Sequence, residues 1–178
     1  MLKSSNSEVN FVKSLKIDLD HFRKNSKSEF GANQRLKTRL KKIKPKELDD
    51  KFENLHDKVF QNLDCLDCAN CCKTTSPIFL QTDIVRLAKV YKMKSSGFIE
   101  TFLHRDDEGD YVLNSSPCPF LGDGNKCQVY QERPKACREY PHTNRKKMHG
   151  ILELSLKNTL VCPAVFKIFQ QIDMDFRK

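Results

Sequence analysis

Apolar residues recur at helical spacing along most of the chain. Phe11, Leu15, Leu19 and Phe22, with Val12 and Ile17 nearby, predict an amphipathic helix. Small and charged residues break the pattern from 24 to 31. Leu36, Leu40 and Ile43 then form a second, strongly basic stripe before Pro45. Pro45 suits the first position of a further helix, with Glu47, Asp49 and Asp50 in its early turns. Leu48, Phe52, Leu55, Val59 and Phe60 line one side of that helix and carry the chain to Leu63. Thr82 is a candidate N-cap for a helix over 83–94 whose inner face is Ile84, Leu87, Ala88 and Tyr91. Ser96 caps a shorter one holding Phe98, Ile99, Phe102 and Leu103.

The second half reads differently. Tyr111–Leu113 is a short strand candidate, and 114–126 is loop, with Pro117, Pro119, Gly122 and Gly124 among polar residues. One helical turn is expected over 128–132, ended by Arg133-Pro134. The stretch from Ile151 to Leu156 alternates, which predicts a strand facing Tyr111–Leu113, with a helix as the alternative. Cys162-Pro163 opens a closing helix with Val165, Phe166 and Phe169 inward and Ile172 at its end. No apolar run reaches the length of a membrane helix. The expected fold is a small α+β domain, mainly helical and loop-rich, stabilised by metal. Its helices would pack around a cysteine cluster, with at most a short two-stranded hairpin.

Charge divides the chain. The formal net charge is +9, and the stretch from Arg23 to Lys46 holds ten Lys and Arg against the single acid Glu29. The remainder is formally neutral. Residues 1–46 therefore read as a basic, partly helical or disordered extension, and 47–178 as the cysteine-bearing domain. A basic run of this kind offers a surface to nucleic acid or another acidic partner, with strong salt dependence. Only Phe30 interleaves with it as an aromatic, and no zinc-finger spacing accompanies it.

Eight cysteines change the picture most. Cys65, Cys68, Cys71 and Cys72 form the run CLDCANCC, and Cys118, Cys127, Cys137 and Cys162 follow. Two-residue gaps predict a loop that folds its thiolates back onto one ion or cluster, as in zinc knuckles and ferredoxin loops. A disulfide framework is the alternative, but the start MLKSSNSEVN has no apolar leader, which favours the cytoplasm. The CxxCxxC spacing with a remote Cys-Pro, at Cys118 or Cys162, suits an iron–sulfur cluster; four thiolates per ion equally make one or two zinc sites. All eight cysteines are candidate ligands. Cys71 and Cys72, being adjacent, are expected to diverge and to serve different sites. Tyr130, Arg133, Arg138 and Tyr140 lie close in sequence to Cys127 and Cys137. They are candidates to hydrogen-bond cluster sulfurs, neutralise thiolate charge or anchor an acidic substrate. The five histidines have no ligand spacing.

The run at 65–72, the segment Cys118-Pro-Phe-Leu, and the matching positions Cys127, Tyr130, Arg133, Pro134, Cys137, Arg138 and Pro141 resemble the bacterial CxxCxxCC cysteine-cluster family. The likeness runs from about Asp64 to Phe169. It implies a zinc- or iron-chelating domain. A more distant likeness to the cysteine region of flagellin lysine N-methylases implies a protein-modifying role with an iron–sulfur cluster. The chain is much shorter than those enzymes and has no glycine-rich nucleotide loop. The leading expectation is thus a cysteine-ligated metal-binding protein with a structural, metal-transfer or electron-transfer role. A small metal-dependent modifying or redox enzyme and a nucleic-acid-binding module are the alternatives.

Overall fold

The structure, a computed structural model, describes residues 17–177; the expected helix around Phe11 and Leu15 lies largely outside them. Asp18 caps the first helix, α1 (Leu19–Ser28), its carboxylate accepting from the backbone of Asp20 and His21. Helix α2 (Phe30–Leu40) buries Asn33, Leu36 and Leu40, and α3 (Pro45–Phe60) starts at its proline and buries Leu48, Asp49, Phe52 and Leu55. Two short helices, α4 (Cys65–Cys68) and α5 (Asn70–Thr74), carry the cysteine run. Helices α6 (Gln81–Val90) and α7 (Ser95–Phe102) follow, then the strands β1 (Leu103–Arg105) and β2 (Tyr111–Leu113), paired antiparallel with Leu103 opposite Leu113. A loop with 3-10 turns at Asp123–Asn125 and Tyr130–Glu132 leads to α8 (Lys135–Glu139). The turn Met148–Ile151, α9 (Leu152–Asn158) and α10 (Pro163–Arg177) complete the chain.

Two apolar clusters hold these elements. The first joins Leu36 and Leu40 of α2, Leu48 and Phe52 of α3, Leu152 and Leu156 of α9, and Val165, Ile168 and Phe169 of α10. Phe52 meets Phe169 edge to face at 6.1 Å. The second cluster gathers Ile84 and Leu87 of α6, Phe98 of α7, Leu103 and Leu113 of the hairpin, and Phe120 from the loop, which stacks on Phe98 at 6.1 Å. No helix among the described residues is long and apolar enough to cross a membrane.

Three expectations are corrected. The helices pack around apolar side chains, and among the described residues no cysteine cluster able to hold a metal lies between them. The stretch from Ile151 to Leu156 is not a strand: Leu152, Ser155 and Leu156 are all buried, the i, i+3, i+4 pattern of a helix face, and β1 takes its place as partner of β2. The cysteine run is helical rather than loop, because its spacing fits two short turns separated at Ala69. The basic stripe of α2 lies on the folded body, with Leu36 and Leu40 in the same cluster as Leu48 across the expected boundary at 46.

Candidate functional site at the paired cysteines

Asp64 opens the site by accepting from the backbone of Leu66 at 2.8 Å and so capping α4. Ala69 then enters the left-handed region at φ 45°, which ends α4 and redirects the chain into α5. Asn70, buried at the start of α5, donates from Nδ2 to the carbonyl of Val161 at 2.7 Å and accepts from Arg23 at 3.1 Å. On the opposite side, the backbone N–H of Cys118 donates to the carbonyl of Cys72 at 2.8 Å, and Ser116 Oγ donates to that of Lys73. Helix α5 is therefore stitched to both clusters, since Val161 precedes Cys162 in the first and Cys118 packs against the second.

This placement disperses the thiols. Cys65 is exposed and Cys68 buried; Cys71, Cys72, Cys118, Cys127 and Cys137 are half-buried, and Cys162 sits in the first core cluster. All eight are free thiols. Cys71 Sγ lies 4.0 Å from Cys72 Sγ, so the adjacent side chains converge where divergence was expected. The S–H of Cys71 stabilises a thiolate at Cys72, which is lowered to about 7, with the Arg133 guanidinium and Lys73 adding to the effect against burial. Cys71 is raised in turn, by that bond and by burial. Burial first, then neighbouring thiols, pushes Cys118 up to about 11 and Cys137 up to about 12. Burial likewise pushes Cys162 up to about 12.

Arg133 is delivered by a framework that sequence reasoning did not single out. Asp83 of α6 is almost fully buried and pairs with Arg86 at 2.6 Å; Arg86 donates to the carbonyl of Arg133 at 2.9 Å, and Asp83 also accepts from the backbone of Lys135. The guanidinium of Arg133 lies 3.7 Å over the Tyr130 ring. Of the other two polar candidates, Tyr140 is half-buried with its hydroxyl unpartnered among the described residues, and burial, with nearby Cys162 and Cys71, pushes its pKa well above the ordinary phenol value. Arg138 is exposed and donates to the Arg133 carbonyl at 2.6 Å. Among the histidines, His56 Nδ1 meets Thr143 Oγ1 at 2.8 Å, and the buried Nε2 of His149 has no partner among the described residues.

Fold and site together define a small, mostly helical, cysteine-rich domain whose eight thiols are free, two of them adjacent on one short helix. The family model CxxCxxCC, described as "Putative zinc- or iron-chelating domain", matches residues 64–162, and the chain belongs to that family. No match was found among curated proteins or among solved structures.

The donor set does not fit the ion or cluster that this description implies. Among the described residues no group of three or more Cys, His, Asp or Glu side chains is arranged to hold a metal ion. The thiols lie near enough to influence one another's charge, yet they are split between two helical turns, two core clusters and the surface. The expectation of a cysteine-ligated iron–sulfur, iron or zinc centre is corrected accordingly. What the run forms is a pair.

Proposed function

We propose that the chain is a redox-responsive thiol protein whose reactive centre is the pair Cys71 and Cys72, working without metal. The observation that carries this reading is the 4.0 Å separation of the two sulfurs on α5, with the Arg133 cation as electrostatic support for a thiolate at Cys72. The partner reagent is a disulfide. The Cys72 thiolate attacks one sulfur of it, forming a mixed disulfide and releasing the other sulfur as a thiolate. The Cys71 thiol then loses its proton to that released thiolate and attacks the Cys72 sulfur, closing a Cys71–Cys72 disulfide and releasing the second thiolate. The protein gives up two electrons and the partner disulfide is reduced to one thiol and one thiolate, the latter taking its proton from water.

Closure draws the sulfurs from 4.0 Å to about 2.05 Å and twists the peptide between them. That peptide belongs to the helix whose Asn70 side chain and Cys72 carbonyl tie the two clusters, so oxidation loosens the ties on both sides. A strained disulfide of this kind is readily reduced again, which suits a reversible signal. A cytoplasmic location, where thiols are kept reduced, is part of the proposal.

Incubation with oxidised glutathione followed by peptide mapping tests it. The expected products are a glutathione adduct on Cys72 in the C71S variant and a Cys71–Cys72 disulfide in the wild-type chain. Adducts confined to the exposed Cys65, with Cys72 untouched, would overturn the reading.

The basic stretch supports a second element. Lys37 pairs with Glu153 and Arg39 with Asp173, whereas Lys41, Lys42, Lys44 and Lys46 are exposed around the α2–α3 turn with no ion pair to a described residue. These four lysines are the part of the run that would meet an acidic partner. Loss of such a partner in a K41Q/K42Q/K44Q/K46Q variant would support this element, and unchanged binding would refute it.

A further inference from the structure

Helix α8 contributes Lys135, Arg138 and Glu139 to one wall of an open basin of about 780 Å3; Arg145, Lys146 and Lys147 form the other wall. Five cations thus face one carboxylate. The remaining lining, His142 and Asn144, is also polar, so nothing in the basin favours an apolar ligand.

The basin is held rather than draped. Asp49, Glu53 and His56 follow one another at i, i+4 and i+7 along α3, and each fixes a point of the far wall. The buried Asp49 carboxylate accepts from the backbone N–H groups of Lys147 and Met148, both at 2.8 Å. Glu53 pairs with Lys146 Nζ at 2.9 Å, and His56 meets the buried Thr143. The near wall is joined through His142, whose N–H donates to the carbonyl of Glu139 at 2.8 Å.

Two of the five cations are matched within the chain, Lys146 by Glu53 and Lys135 by Glu139 at 3.7 Å. Arg138, Arg145 and Lys147 have no ion pair with a described residue. Each arginine spends a single donor on a carbonyl, Arg138 on Arg133 and Arg145 on Lys146, and keeps the rest of its planar fork free. Planar forks and an ammonium around a concave volume match phosphate oxygens. The volume falls within the usual size of small-molecule sites. We propose that this basin binds a small molecule carrying two or more phosphate groups.

Calorimetric titration of the full-length chain with inorganic triphosphate, at low and at physiological salt, tests the proposal. Saturable one-to-one binding is expected. R138Q/R145Q should weaken it ~10-fold or more, as the loss of two charge-assisted contacts implies. K89Q/K94Q, at exposed lysines that do not line the basin, should leave it unchanged. R145Q alone is the fallback if the double variant fails a circular-dichroism check, and a weakening by that single change carries the same meaning. Three results would overturn the site: no saturable binding of triphosphate, equal weakening by K89Q/K94Q, or binding of duplex or single-stranded nucleic acid without binding of triphosphate.

Discussion

The sulfurs of Cys71 and Cys72 lie 4.0 Å apart although the residues are neighbours in the chain. Successive side chains on a helix normally diverge by about 100°. Here both residues sit in the short helix α5, just after the left-handed turn at Ala69, and the carbonyl of Cys72 is held by the Cys118 N–H. The pair is a consequence of that anchoring, and its chemistry is accessible to direct measurement.

The pH profile of alkylation reads the Cys71-to-Cys72 hydrogen bond. Cys72 is lowered to about 7, so its reactivity with iodoacetamide should rise through neutral pH, where an ordinary thiol at 9.0 is still mostly protonated. Below the midpoint the thiolate is lost and the rate should fall. Cys71→Ala removes the S–H donor and should move the midpoint up towards 9.0. A midpoint unaffected by that change would deny the donor its role.

Stability should decline on the alkaline side. Cys118, Cys137 and Cys162 are raised to about 11, 12 and 12, chiefly by burial, whereas the unfolded chain loses these protons near 9.0. The unfolded state then binds fewer protons than the folded one, so stability falls as pH rises from the ordinary thiol value through the folded ones. Urea melts at increasing pH should show this, and Cys162→Ala should make the decline shallower. A flat profile would mean that the thiols are not desolvated as described.

The basic helix α2 should be needed for the fold. Leu40 is fully buried in the first cluster, and Leu40→Ala should cost about 2–5 kcal/mol in denaturant unfolding. Deleting residues 1–46 removes Leu36 and Leu40 together and should lower the midpoint further. A truncated chain as stable as the whole would show that α3, α9 and α10 close over one another without α2.

Much of this architecture is legible in the residues alone. Leu48, Phe52 and Leu55 announce the inner face of α3, Pro45 its start, and Pro163 the start of α10, because helical period and proline chemistry are local properties. The stretch from Ile151 to Leu156 misleads because Leu152, Leu154 and Leu156 satisfy a period of two, whereas the buried helix face of Leu152, Ser155 and Leu156 includes a polar residue; packing by α2 and α10 decides between them. The cysteine run misleads for a related reason. Its spacing suits a ligand loop and a pair of short helical turns alike, and the left-handed residue that separates them is an alanine, which carries no turn signal. Asn70 occupies a spacer position in the cysteine pattern, yet it bridges Arg23 and Val161. Asp49 reads as a helix-start acid, yet it is spent on Met148. Such partners lie tens of residues away, and no local pattern points to them.

Native mass spectrometry of the anaerobically purified chain after a brief pulse of iodoacetamide at neutral pH tests the central claim most directly. The expected spectrum is the bare chain bearing one carbamidomethyl group, which peptide mapping places on Cys72. A species carrying stoichiometric zinc, iron or an iron–sulfur cluster, with Cys72 protected from alkylation, would contradict the metal-free pair.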